Sequence, residues 1–300
     1  MIGIVDELRA RFDRESIELF VPEFVQIVPE AELIELVPIF DGWIIGDDPA
    51  TAAVLEAGHA GSLRACVKWG VGTDNVDFET ARRLGIPVTN TPAAFGNEVA
   101  DVAMSYVVGL ARETFAIDRG VRAGGWPKPR GISLAGRLVT LVGFGDIGQQ
   151  TARRLLAAEM EVRVVDPFFS NAAALSVQPT TWPQAIKDAD FVVFTCPLTP
   201  NTKGMLNSDT LRLAKPGLRV VNVARGPIID EVALVTALRD GTVHSAALDV
   251  FEIEPLPESS ALRGFDRCIL GSHNASNTED AVRRVSNRAS DFLIAALGST

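Results

Sequence analysis

A glycine-spaced loop and a few polar residues set after strand-like runs are the parts of this 300-residue chain that could do chemistry. Leu138–Val142 has the apolar, β-branched character of a buried strand and leads directly into Gly143-Phe144-Gly145-Asp146-Ile147-Gly148. A helical pattern follows over Ile147–Ala158, and Asp166 closes the next strand-like run, Glu161–Val165, eighteen residues after Gly148. A bare GxGxxG means little. With a strand before it, a helix after it and an acid at the end of the next strand, it is the dinucleotide fingerprint. Gly143 permits the tight turn, Gly145 lets backbone N–H groups approach a pyrophosphate, and Gly148 lets helix and strand pack closely. The helix N-terminus then attracts the phosphates. A carboxylate at Asp166 accepts hydrogen bonds from ribose hydroxyls and repels a 2′-phosphate, and Pro167–Asn171 offers no arginine to hold one. The pattern predicts NAD rather than NADP.

Hydride transfer to a carbonyl needs a proton donor and a cation to hold an acidic substrate. The chain has three histidines. His59 lies in a loop-like stretch, Glu56-Ala57-Gly58-His59-Ala60-Gly61, and reads as a surface residue. His244 opens a buried strand and reads as a strand-end residue. His273, just past a strand in Leu270-Gly271-Ser272-His273, stands where open α/β sheets bind ligands, beyond the C-terminal strand ends. Arg225, after Asn222-Val223-Ala224, and Glu254, after Asp249, share that position. An arginine grips a carboxylate through two parallel hydrogen bonds. A glutamate beside a histidine fixes its tautomer and favours its protonated form. Taken singly, Arg225 and Glu254 also read as a surface arginine and a loop glutamate.

These residues must be carried by a scaffold. Ile2–Val5, Phe24–Val28, Gly42–Ile45 and Leu63–Val67 read as buried strands, with helices at Ala31–Val37 and Pro49–Ala57. A second series reads as strands at Leu138–Val142, Glu161–Val165, Phe191–Phe194, Arg219–Val223 and His244–Leu248, with helices at Ile147–Ala158, Ser208–Leu213 and Glu231–Arg239. Repetition of strand, helix, strand implies parallel sheets covered on both faces, and two series imply two α/β domains. Glu98–Arg119 reads as one long helix, apolar almost all round and therefore buried. Ala123–Pro129 is a loop by composition, and a last helix is expected at about Glu279–Ala296.

Composition bounds the partners. A net charge of −10 without a long basic run disfavours nucleic acid and anionic lipid. Cys66, Cys196 and Cys268 are far apart with no CxxC pair, which argues against a disulfide framework or a zinc site and fits a reducing cytoplasm. Met1–Glu7 lacks the basic start and apolar core of a signal peptide. The longest apolar stretches, such as Val102–Ala111, are too short to span a bilayer.

From about Lys68 to Ala281 the chain resembles the D-isomer-specific 2-hydroxyacid dehydrogenases, the group that includes D-3-phosphoglycerate dehydrogenase. The resemblance rests on Lys68–Asp77, Asn90-Thr91-Pro92, Glu98-Val99-Ala100-Asp101, the dinucleotide loop, Cys196-Pro197-Leu198, Ala224-Arg225-Gly226, Ala247–Phe251 and Glu254-Pro255, in the family's order. Residues 1–60 match in pattern only. The resemblance implies an α/β fold of two Rossmann-like domains with a cleft between them. The substrate domain would be discontinuous (1–98 and the C-terminal helix, 276–300), and the NAD-binding domain would occupy 99–275. It implies interconversion of a D-2-hydroxyacid and its 2-oxoacid. His273 would be the acid–base, Glu254 would orient it, and Arg225 would hold the substrate carboxylate and polarise the carbonyl. The amides of Val71 and Gly72 would complete the carboxylate site. Asp249 would contact the nicotinamide carboxamide, and Thr91, Val99, Cys196, Pro197, Val223, Ala224 and Ala275 would join Gly143–Gly148 and Asp166 in lining the cofactor site. Lys68 stands where relatives often place a substrate-contacting basic residue, which hints at a second anionic group; it reads equally as a strand-end lysine in solvent. Trp69 and Trp126 are candidates to border the substrate.

Two departures stand out. Ser272 replaces a common proline, and Asn274-Ala275-Ser276-Asn277 replaces glycine-rich sequence. A homodimer is expected, and the regulatory C-terminal domain of some phosphoglycerate dehydrogenases is not. The contrasting reading is an NAD(H)-sensing binding protein like the family's corepressors. Oxidation of formate or phosphite is a third, disfavoured because direct hydride loss from formate needs no general base.

Overall fold

The computed structural model describes residues 4–23, 27–170 and 175–298. The chain divides into two compact units, residues 1–94 with 277–300, and residues 95–276. The smaller unit holds α1 (Val5–Arg14), α2 (Glu30–Leu36), β1 (Gly42–Ile45), α3 (Ala52–Ala60), β2 (Ala65–Lys68), α4 (Phe78–Leu84) and β3 (Val88–Asn90). The strands pair in parallel in the order β1-β2-β3. Side-chain caps start the helices where the chain must turn: Thr51 Oγ1 accepts the Val54 N–H, and Asp77 Oδ1 accepts the Thr80 N–H. Gly85, at φ +72°, closes α4 in the left-handed conformation.

The larger unit holds α5 (Gly96–Arg112), α6 (Thr114–Arg122), β4 (Leu138–Val142), α7 (Asp146–Ala157), β5 (Glu161–Val165), β6 (Val177–Pro179), β7 (Phe191–Phe194), α8 (Ser208–Leu211), β8 (Leu218–Asn222), α9 (Glu231–Asp240), β9 (Val243–Leu248) and β10 (Ile269–Leu270). Its strands run in parallel in the order β10-β9-β8-β7-β4-β5-β6. The chain starts in the middle at β4, builds outward to β6, then crosses over to β7 and builds the other way. The strand order therefore reverses between β4 and β7, and that is where such sheets bind nucleotides. The last helix, α10 (Glu279–Gly298), returns to the smaller unit, where Ala289 and Leu293 pack on Ala65 and Val67 of β2.

Several expectations need correction. Val5 begins a helix, not the end of a strand: Leu8 and Phe12, four residues apart, are its buried positions, and acids at its start and arginines at its end suit the helix dipole. Residues 2–3 of that expected strand lie outside the described residues, as do residues 24–26 of the strand expected at Phe24–Val28; Ile27 and Val28 are not in a strand. The single helix expected over Glu98–Arg119 is two. Glu113 adopts a left-handed φ of +53° and breaks it; α5 is buried along Val99, Ala100, Ala103, Tyr106, Val107, Leu110 and Ala111, whereas α6 has no buried residue. His59 is in the last turn of α3 rather than in a loop, and it is exposed.

The three cysteines are free and buried. Burial pushes the Cys66 and Cys196 thiols up to about 12 and raises that of Cys268. Among the described residues, no helix is long and apolar enough to cross a membrane.

Candidate active site

The glycine loop occupies the turn from β4 to α7. Gly143 sits at φ +95°, its N–H donates to the Val165 carbonyl at 2.9 Å, and a Cβ there would lie 2.7 Å from the Cys196 backbone. A Cβ on Gly148 would lie 2.2 Å from the Gly143 carbonyl oxygen. Gly145 differs from both. A Cβ there meets nothing within 4 Å, and Gly145 and Asp146 are exposed. No side chain caps α7, in contrast to α8 and α9, whose first amides are taken by Asn207 and Asp230. An uncapped helix start beside an open glycine is a seat for an anion, and it fits the pyrophosphate of a dinucleotide. The Asp146 carboxylate turns instead toward Gly96, where an added Cβ would come within 2.4 Å of its Oδ2, at the start of α5.

Asp166 ties this loop to the end of β5. Its Oδ2 accepts the Phe144 N–H at 2.6 Å and its Oδ1 accepts the Phe168 N–H at 2.8 Å. A carboxylate has about four acceptor positions, so capacity remains for ribose hydroxyls. Val99, Cys196, Val223, Ala224 and Ala275 are buried; Pro197 is exposed, and its carbonyl accepts the Thr202 hydroxyl. The burial of the Cys196 thiol, helped by the Asp166 charge, keeps it protonated.

His273 and Glu254 meet. Nδ1 of His273 lies 2.7 Å from Oε2 of Glu254, both side chains about three-quarters buried, with 25% and 26% exposure. The other oxygen, Oε1, accepts the Phe251 N–H at 2.9 Å, so the glutamate cannot turn away without losing a second bond. This pair commits Nδ1 and so fixes which way the ring faces. His273 has a φ of +54°, unusual for a residue other than glycine. The loop is held by Asp249: its carbonyl accepts the His273 N–H at 2.7 Å, and its buried carboxylate accepts the N–H groups of Asn274 and Ala275. Arg225, half-buried, directs Nη1 to the Ala224 carbonyl at 2.8 Å.

Positioning residues here carry no sequence signal of their own. Asn222, at the end of β8, accepts the Ala224 N–H and donates to the Arg225 carbonyl, so one buried amide shapes the arginine's turn. Gly226 lies against the next loop: a Cβ would fall 1.8 Å from the Phe251 carbonyl carbon. Glu231 and Glu252 each accept the other's backbone N–H, which ties that loop to the start of α9. Burial, then repulsion from Glu252 and Glu254, raises the Glu231 carboxyl above its ordinary value.

In the smaller unit, the loop with Val71 and Gly72 hangs from Thr91. The Thr91 hydroxyl accepts the Gly70 N–H at 2.9 Å, and its own N–H donates to the Gly70 carbonyl. Asn90 Nδ2 donates to the Val71 carbonyl. Lys68 is not a strand-end lysine in solvent: it is 3% exposed, with Nζ 2.5 Å from the Gly46 carbonyl, 3.2 Å from that of Trp69 and 3.5 Å from Asp47 Oδ1. Trp69 donates to Ser286 on α10, and Trp126 is 76% exposed. His244 is a half-buried strand residue with Nδ1 3.0 Å from Ser245 Oγ; burial, then Arg219 and Arg267, lowers it to about 4.

The family model for the D-isomer-specific 2-hydroxyacid dehydrogenase NAD-binding domain matches residues 104–275. The chain belongs to this family. It is 32% identical over 296 residues to a hydroxypyruvate reductase of Thermotoga maritima, covering 95% of this chain and 96% of that one. It is 38% identical over 251 residues to the chloroplastic D-3-phosphoglycerate dehydrogenase 2 of Arabidopsis thaliana, covering 82% of this chain but 40% of the relative. Against that relative, the chain spans less than half the length. A solved structure of a Thermus thermophilus protein superposes with a TM-score of 0.89 at 31% identity, covering 98% of this chain and 94% of the other. The dehydrogenase is an NAD-dependent oxidoreductase of D-2-hydroxyacids, and the α/β fold with parallel sheets is the one its relatives share.

Proposed function

We propose that this dehydrogenase reduces a short, non-phosphorylated 2-oxoacid of hydroxypyruvate size. The observation that carries this is Lys68. It is the cation a second, phosphate-sized anion would need, and its ammonium is buried and turned onto the Gly46 and Trp69 carbonyls and Asp47. Lys68 then serves the substrate indirectly, by bracing the loop that presents the Val71 and Gly72 amides. Arg225 grips the single carboxylate and polarises the carbonyl. His273, oriented through Nδ1 by Glu254, donates the Nε2 proton to the carbonyl oxygen in reduction and takes the hydroxyl proton in oxidation. NADH, when bound, supplies the hydride. Gly145, Asp146, Ile147 and Gly148 offer the helix-start amides to its pyrophosphate, and Asp166 takes the ribose. Thr91, Val99, Cys196, Pro197, Val223, Ala224, Asp249 and Ala275 line the rest of the cofactor site.

A panel of 2-oxoacids with NADH tests the reading. Hydroxypyruvate or glyoxylate is expected to exceed phosphohydroxypyruvate in kcat/KM by about tenfold or more, one step of about 1.4 kcal/mol in transition-state binding. The reverse preference overturns it. The buried free cysteines support a reducing, cytoplasmic setting. Apolar surface at Phe115, Val121 and Trp126 supports a homodimer through the larger unit, which sedimentation equilibrium checks.

A further inference from the structure

Tyr106 is the sole tyrosine of the chain, and it lies on α5 with 7% exposure. A buried phenol needs a hydrogen-bond partner. Its hydroxyl donates to Oδ1 of Asp249 at 3.5 Å. Burial first, then the Asp249 charge and the bond to it, holds the phenol well above its ordinary pKa, so the group stays a donor. Asp249 is the residue that gathers the loop bearing His273, through its carbonyl to the His273 N–H and through its carboxylate to the Asn274 and Ala275 N–H groups. Tyr106 thus touches a side chain from which that loop hangs.

Gly271 completes the arrangement. A Cβ at position 271 would lie 2.4 Å from Asp249 Oδ1, 2.5 Å from the Tyr106 hydroxyl and 3.0 Å from Asp249 Cα. The backbone at Gly271 is not among the glycines with positive φ, so the lack of a side chain serves space rather than conformation. The tyrosine hydroxyl and the Asp249 carboxylate fill the notch that glycine leaves.

We propose that Tyr106 is a positioning residue for the dehydrogenase reaction: its hydroxyl, seated in the notch at Gly271, fixes Asp249 and through it the loop that presents His273. The inference rests on the reading of His273 as the acid–base group. Tyrosine acting only as filler would be replaced by phenylalanine without effect, since the ring would remain. A fixing hydroxyl has a different consequence. Without it, the Asp249 carboxylate keeps only its bonds to the Asn274 and Ala275 N–H groups, the His273 loop loosens, and the notch at position 271 widens on the tyrosine side.

The test uses the full chain with NADH and the best 2-oxoacid of the panel. Y106F is expected to lower kcat by about tenfold while the KM for the oxoacid and the Kd for NADH stay within about twofold, because placement of the proton donor changes and the binding groups do not. G271A alone is expected to lower kcat by more than about tenfold, but to cost less when added to Y106F, because the contact with the hydroxyl is gone while that with Asp249 remains. That non-additivity marks a shared contact. Tyrosine labelled at the ring carbon that bears the hydroxyl gives a single NMR resonance in the wild-type protein, and Asp249→Asn is expected to shift it whether or not Y106F folds. An indifferent Y106F, an equal G271A loss in both backgrounds, or a resonance blind to Asp249→Asn overturns the proposal. Absence of any oxoacid turnover in the wild-type protein overturns the functional reading and this inference with it. Turnover in the wild type with an indifferent Y106F overturns this inference alone.

Discussion

The glycine loop after β4 and the histidine loop after β10 follow strands of the same sheet, yet they are held by opposite means. The glycine loop is shaped mainly from within: Gly143 turns and Gly148 lets the Gly143 carbonyl pass, while the ties from outside come from Val165, Asp166 and Thr195 at the ends of the adjacent strands. The histidine loop is shaped from without, by Asp249, Glu254 and Tyr106, which lie 19 to 167 residues away along the chain. A loop that carries its own geometry is written as a spacing. A loop that borrows its geometry is written as scattered residues with no spacing at all.

The sharpest way to test that contrast is to remove function from one loop and watch the other. His273→Ala is expected to reduce kcat by about 10²- to 10⁴-fold, the usual contribution of a general acid–base, with NADH affinity unchanged by calorimetry. A matching loss of NADH affinity would mean that the two loops are not separate. Gly148→Ala should do the converse. Its Cβ meets the Gly143 oxygen, so the helix start must shift, and NADH binding should weaken by about tenfold or more while the His273–Glu254 pair survives. Asp166→Ala is expected to have a smaller effect, reducing the preference for NAD over NADP by about tenfold in kcat/KM ratios. Unchanged cofactor preference would remove Asp166 from the ribose contact.

The smallest effect concerns stability away from both loops. His244 is lowered to about 4 from an ordinary 6.5, so between those values the unfolded chain binds a proton that the folded chain does not. Stability contributed at His244 is therefore complete above 6.5 and falls as pH drops toward 4. Urea midpoints measured across this window should decline in the wild-type protein and decline less in His244→Gln.

The same contrast explains what can be read in the sequence. β4, β5 and β7 match their apolar runs residue for residue because each is a short strand largely buried along its length, and β1 matches through its apolar Trp43-Ile44-Ile45 run although only Ile45 is fully buried. Asp166 is legible because it closes a strand at a fixed distance from the glycines. The break at Glu113 is not: α5 and α6 are both helix-compatible, and a left-handed residue other than glycine leaves no compositional mark. β3, β6 and α4 escape a sequence reading because they are short and partly exposed, so periodicity has little to work with. His273, Arg225 and Glu254 are placed by their positions after strands. Asn222, Gly226, Gly271 and Tyr106 are ordinary residues until the fold brings their partners to them.

The buried cysteines give the chain a pair of built-in clocks. Cys66 belongs to the smaller unit, and Cys196 and Cys268 belong to the larger one; all three are shielded as protonated thiols. An alkylating reagent therefore waits for local opening, and its rate at each sulfur times how often that part of the protein breathes. Mass spectrometry of the labelled peptides would record two opening rates from one sample, and added NADH should slow the reaction at Cys196 while leaving Cys66 on its own schedule.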